Sequence, residues 1–397
     1  MNDERWLLPA GIEEVLPAEA AQLERLRRNL LDLYASWGYE LVIPPFIDYL
    51  ESLLTGTGHD LDLQTFKLTD QLSGRMLGVR ADMTPQVARM DAHQLDREGP
   101  ARLCYLGTVL QTRTDGFAGS RSPMQVGAEI YGHEGAASDV EVLRLLLATL
   151  EAAGLDSVHV DLGHVGIYRG LARQAGLDQT QEMALFEALQ RKAESEIRAL
   201  IDGFALPTTI GDMLLALVQL NGADVLDEAE SALREADRSV QAALARLREV
   251  ATEIQRFLPH LPVHFDLAEL RGYTYKTGIV FAAFVPGWGL EIGRGGRYDH
   301  IGQVFGRARP AVGFSTDLKG LIALADLPSQ PAETAVLAPW HSDPALVAEM
   351  TRLRAAGRTV IQLLPGQDAS ATEARCSERL IEGEDGGWML APIRPSV

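Results

Sequence analysis

MQVGAEIYG, residues 124–132, holds the first arrangement able to do chemistry. In an extended strand alternate side chains share a face, so Gln125, Gly127 and Glu129 should point the same way. A glycine between two polar side chains leaves room for a small ligand. A carboxylate beside that room can hold an ammonium or imidazolium group by a charge-assisted hydrogen bond. The competing reading is an edge strand whose polar residues face water. Asp82 and Glu291 are further carboxylates on or beside expected strands. Arg271, Tyr273 and Tyr275 alternate along LRGYTYKTGIVF and would share a strand face, either clamping a small anion or forming an ordinary amphipathic sheet surface. The loop after LGTVLQ lies between Arg113 and Arg121, a setting that can cradle phosphate. GRGGRYD, residues 293–299, lacks the G-x-G-x-x-G spacing and opens no helix. It reads as a strand whose backbone is closely approached, or as a ligand site that side chains would obstruct. His59, His93 and His164 are isolated and read as structural, and no Ser-His-Asp or metal constellation can be argued.

The elements that must position these residues follow from periodicity. Residues 18–37 carry Leu23, Leu26, Leu30, Leu33, Tyr34 and Trp37 at helical spacing, with Gly38 placed as a C-terminal cap. YELVIPPFIDY reads as a strand ended by Pro44 and Pro45, which belong at an edge or an interface. Residues 63–80 read as a hairpin around a Ser-Gly turn. A helix then starts with Thr84 as N-cap and Pro85 as first helical residue. LGTVLQ and MQVGAEIYG form a second hairpin, and SDVEVLRLLLATLEAAGL an amphipathic helix. Residues 172–256 are rich in Ala, Leu, Glu and Arg at helical period and read as an all-helical insertion. Strands return after 257, residues 326–333 look like a linker, and from 334 a strand, a helix and a strand form one βαβ unit. The fold class is therefore α+β: hairpin-rich antiparallel sheet with packed helices, a helical insertion and a small C-terminal α/β domain.

The 397 residues suffice for two or three domains and a large core. A net charge of −19 argues against an open nucleic-acid surface and for a solvated acidic one, with room for protein partners. Cys104 and Cys376 show no zinc or redox spacing and read as reduced structural thiols. The start lacks a signal-peptide core and no apolar run is long enough to span a membrane, so a cytoplasmic location is expected.

Taken in order, these pieces resemble the catalytic core of class II aminoacyl-tRNA synthetases, specifically histidyl-tRNA synthetase, over roughly residues 5–325. GYELVIPPFID resembles the first class motif, with Pro45 at the position usual for the dimer interface. VRADMTPQVAR is similar to the family's LRPEGT segment, with Asp82 in place of Glu. LCYLGTVLQTRTD and MQVGAEIYG resemble motif 2, LRGYTYKTGIVF the histidine-specific RGLDYYxRTVFE segment, and AVGFSTDLKGL stands at motif 3. The resemblance implies that Asp82, Thr84, Gln125, Glu129, Arg271 and Tyr275 hold histidine, although Lys276 and Gly278 depart from the family's Tyr and Arg.

The departures bear on catalysis. Adenylate formation needs arginines to neutralise the reacting phosphate, and losing one such contact costs on the order of a hundredfold to a thousandfold in rate. Gln111 stands at the motif 2 arginine, Arg113 at its acid, and Gly320 at the motif 3 arginine. An amino-acid pocket without a working nucleotide site implies a sensor. The pattern is similar to the regulatory subunits of ATP phosphoribosyltransferase, paralogues of histidyl-tRNA synthetase. That resemblance implies no catalysis and no cofactor. It implies self-association as a dimer and partnership with the short-form catalytic subunit in a hetero-octamer. It further implies histidine feedback on the first step of histidine synthesis. The alternative is a divergent synthetase-like ligase that still forms an aminoacyl adenylate. On this reading the core spans 1–171 and 257–325, the helical insertion 172–256, and a truncated α/β domain 334–397.

Overall fold

Helix α1 (Pro17–Ser36) forms where the apolar period demands it and buries Leu23, Leu26, Leu30 and Tyr34. Proline occupies its first turn, and Gly38 follows it at φ +82°. The computed structural model describes residues 6–54, 59–114, 120–325, 335–368, 370–373, 375–384 and 386–393. The expected linker 326–333 and the side chain of His59 lie outside the described residues.

YELVIPPFIDY does not run as one strand. It splits into β1 (Glu40–Leu41) and β2 (Ile47–Tyr49), which belong to different sheets. Pro44 and Pro45 between them have no N–H to give to a ladder, so the chain changes sheets there. After short helices α2 (Leu50–Leu54) and α3 (His59–Gln64), β3 (Phe66–Thr69) and β4 (Met76–Val79) form the first hairpin. With β2 they make a three-stranded sheet in the order β2-β4-β3. Helix α4 (Thr84–Arg89) continues as a π-helical stretch, Met90–Leu95. Its N-cap position is Met83, without a side-chain cap, so Thr84 is helical and not the cap that was expected. The Thr84 amide donates to Asp82 Oδ1 at 3.0 Å instead.

The second hairpin pairs β5 (Ala101–Thr108) with β6 (Met124–Tyr131). Helix α5 (Ala136–Ala152), β7 (His159–His164) and α6 (Val165–Gln174) follow. The expected helical stretch contains α7 (Gln179–Gln190), α8 (Glu194–Gly203), α9 (Thr208–Gln219), α10 (Leu226–Ala232) and α11 (Arg238–Phe257). It also contains a two-residue strand, β8 (Asn221–Gly222), which joins the main sheet. Strands β9 (Val263–Asp266), β10 (Ile279–Phe284), β11 (Gly293–Arg297) and β12 (Ala311–Asp317) precede α12 (Leu318–Leu324).

The main sheet has nine strands in the order β1-β5-β6-β12-β11-β10-β7-β9-β8. All its pairings are antiparallel except β1–β5 and β7–β9. Helix α5 lies against it, with Leu143, Leu145, Leu146 and Leu150 fully buried, and α11 packs on α5 and α6. LRGYTYKTG is not strand. The carbonyl of Gly272, at φ +73°, accepts from the amides of Tyr275 and Lys276, and regular strand resumes only with β10.

The chain divides into two compact units, Met1–Asp326 and Leu327–Val397, so the helical stretch lies within the first. In the second unit, β13 (Ala335–Ala338), α13 (Pro344–Ala355) and β14 (Val360–Gln362) form the βαβ unit, and β13 and β14 are parallel. α14 (Ser370–Glu373) precedes the antiparallel pair β15 (Cys376–Glu382) and β16 (Trp388–Pro392), giving the sheet order β14-β13-β15-β16. Val336, Leu346, Met350, Leu353 and Leu380 form its core. No helix among the described residues is long and apolar enough to cross a membrane.

Candidate functional site

Strand register decides what reaches the centre of the main sheet. Gln125 pairs with Gly107 on β5 and Asp317 on β12, and Glu129 pairs with Leu103 and Gly313. A cavity of about 600 Å³ opens here, bounded by the segment before α4, β6, β11, β12 and the turns that precede β10. Asp82, Thr84, Gln125 and Tyr275 line it.

These side chains are already organised. Gln125 Nε2 donates to Asp82 Oδ1 at 2.8 Å, and Gln125 Oε1 accepts from the Met83 amide at 3.0 Å. Asp82 Oδ1 also accepts the Thr84 amide, so the carboxylate is fixed by two donors before any ligand arrives. A fixed carboxylate at a cavity wall is a receptor for an ammonium group.

Glu129 is on the expected face but behind the wall. It is fully buried, Oε2 accepts the Tyr131 hydroxyl, and Oε1 has no partner. Burial pushes its pKa up to about 8, against the partly offsetting hydrogen bond from Tyr131. The room expected over Gly127 is not open. A Cβ there would stand 2.6 Å from the Tyr105 hydroxyl and 2.5 Å from the Phe314 carbonyl oxygen. Tyr105, on the paired strand, fills that space and meets Thr84 Oγ1 at 3.2 Å.

The Arg271, Tyr273 and Tyr275 face does not exist, because the turns at Gly272 send the three side chains apart. Tyr273 is buried between Tyr168 and Phe186. Arg271 pairs with Glu291 at 2.6 Å and Glu269 at 3.3 Å and is absent from the cavity wall, while Tyr275 stays on it. The glycines of GRGGRYD serve close approach within the sheet, since a Cβ on Gly295 would run into the Phe281 ring and the Gly313 carbonyl.

Gln111 and Gly320 both line the cavity, with Ser120, Thr316 and Asp317. Arg121, one of the two arginines flanking the loop, donates to the carbonyls of Ala10 and Gln111 and so secures the chain. Loop residues 115–119 lie outside the described residues. Lys276, Glu291, Arg294 and Trp288 also reach the wall. All four lie outside the six residues expected to hold histidine. In the sequence Glu291 stands out only as a carboxylate beside a strand and Lys276 only as a departure from the family's Tyr, while Trp288 and Arg294 give no signal.

An antiparallel sheet with a helix-backed hairpin at its centre and a cavity over its glycine-rich strands defines a class II aminoacyl-tRNA synthetase-like protein. A family model for histidyl-tRNA synthetase matches residues 11–321, and one for the ATP phosphoribosyltransferase subunit HisZ C-terminal domain matches 333–391. The chain is similar to the structure of an ATP phosphoribosyltransferase regulatory subunit/histidyl-tRNA synthetase from Bacillus halodurans. That match has a TM-score of 0.82 and 26% identity, covering 94% of this chain and 97% of the other. Histidyl-tRNA synthetase from Nostoc sp. PCC 7120 shares the fold at TM-score 0.76 and 21% identity, over 98% of this chain and 97% of that one. The ATP phosphoribosyltransferase regulatory subunit of Alkalilimnicola ehrlichii is 58% identical, covering 99% of this chain and 98% of the relative. That of Thioalkalivibrio sulfidiphilus is 57% identical over 99% of this chain and all of the relative. The chain belongs to the family of ATP phosphoribosyltransferase regulatory subunits.

Proposed function

We propose that this protein binds histidine in the cavity of its first unit and binds and activates a short-form ATP phosphoribosyltransferase catalytic subunit, making that enzyme sensitive to histidine. The observation that carries the reading is the mismatch between the two parts of the cavity. Around Asp82 the polar side chains are in place and mutually hydrogen-bonded, whereas Gln111 and Gly320 bring no cation to the part where adenylation needs two. Binding without chemistry is what an amino-acid sensor requires. Histidine then acts by favouring one quaternary state of the complex over another.

Self-association as a dimer is part of the proposal. Strand β1 is one edge of the nine-stranded sheet, and Leu41 in it, with Ile43, Phe46 and Ile47 in the chain that follows, are exposed apolar side chains. Buried Cys104, in no disulfide, favours the cytoplasm.

The test is to mix this chain with the short catalytic subunit from the same cell. Co-elution, a gain in ATP-dependent phosphoribosyl transfer, and loss of that gain with histidine are expected. No association would refute the reading. Robust histidine-dependent ATP–pyrophosphate exchange by the chain alone would replace it with a ligase.

A further inference from the structure

The cavity wall contains a buried lysine that the proposed histidine contacts leave unused. Lys276 is 4% exposed, and its Nζ donates to the Gly295 carbonyl at 2.7 Å. An ammonium has three donors, so one backbone carbonyl satisfies only part of it. Its acidic neighbours are already taken: Arg271 holds Glu269 and Glu291, and Arg294 also bonds Glu291 at 3.2 Å. The charges that act most on Lys276 are Arg294, Glu269, Arg271 and Glu291, two of each sign. Desolvation therefore dominates, and it pulls the lysine pKa down to about 7. The stem reaches the wall by passing over backbone, since a Cβ on Gly296 would stand 3.2 Å from Lys276 Cδ.

An amino acid brings one cation and one anion. Asp82, held by Gln125, is placed for the cation. For the anion the sequence pattern offers Arg271, but that side chain is withdrawn into its two carboxylate pairs and does not line the cavity. Lys276, five residues on, does line it. We infer that Lys276 holds the carboxylate of the bound amino acid, and that Arg271 serves as a positioning residue that keeps Glu269 and Glu291 from capturing the lysine. The inference rests on the proposed amino-acid site. An incoming carboxylate supplies the counter-charge that a desolvated ammonium lacks, and its removal from the ligand should be felt at this residue alone.

Calorimetry on the full chain with L-histidine and with histamine, which lacks the carboxylate, tests this. The wild type is expected to prefer histidine by at least about tenfold. Lys276→Met should bring the two affinities together by weakening histidine while leaving histamine unchanged, and Lys276→Arg should keep the preference. A Lys276→Met protein that retains the wild-type preference would overturn the assignment. So would equal affinity of the wild type for the two ligands, a result that needs no variant to fold. Failure of the wild type to bind either ligand would instead remove the amino-acid site itself, and this assignment with it.

Discussion

Glu129 shows how far a residue's character is set by its surroundings. On a water-facing strand it would be an ordinary carboxylate. Here it is enclosed with Tyr105, Tyr131 and Tyr298, with Asp82 as the neighbouring charge, and burial raises its pKa from 4.5 to about 8. The native state therefore holds the proton more tightly than the unfolded chain does. The stability linked to this group is fully present below about 4.5 and is lost as pH rises through about 8. Glu129→Gln stays neutral throughout. It is expected to match the wild type near pH 4 and to exceed it by a few kcal/mol near pH 9, measured by urea unfolding at both values. A difference independent of pH would show that Glu129 does not titrate in this range. Gln125 and Glu129 were legible as a pair from the period of two. That one faces the cavity and the other lies behind it depends on Tyr105, a neighbour only through strand pairing.

Among the elements, those with a local cause match their sequence signals. The hairpins, α1, α5 and the βαβ unit each follow from periodicity, capping or turn residues within a few positions. Two elements do not. YELVIPPFIDY breaks because the prolines deny two ladder bonds, and LRGYTYKTG curls because Gly272 takes a left-handed conformation. Glycines also read alike in sequence while doing different work. Gly295 sits in the middle of β11, where an added methyl would overlap the Phe281 ring, whereas Gly320 in α12 has nothing closer than Asp317 Cβ at 3.7 Å. Gly295→Ala should cost at least about 2 kcal/mol by chemical denaturation, and Gly320→Ala should be neutral or stabilising by about 0.5 kcal/mol. Equal effects would mean that the β11 backbone can give way.

For the whole molecule, the apolar residues at the β1 edge carry the clearest consequence. Ile43 is 78% exposed and Phe46 43%, values that a free monomer would present to water. Ile43→Glu combined with Phe46→Glu should convert the proposed dimer into a folded monomer in sedimentation velocity, without loss of secondary structure by circular dichroism. A wild type that sediments as a monomer at micromolar concentration would argue against this edge as an interface.

The sequence by itself determined the fold class and the family, because both rest on local periodicity and on motif residues that keep their order along the chain. The family resemblance also grouped Asp82, Thr84 and Gln125, all three of which line the cavity. Only the tertiary structure decided which side chains reach the cavity. Tyr105 closing over Gly127, Arg271 turning to Glu269 and Glu291, and Lys276 standing on the wall all depend on contacts between elements. Packing and charge pairing across a sheet are set by register and turns, and those compete at a distance that no local pattern records.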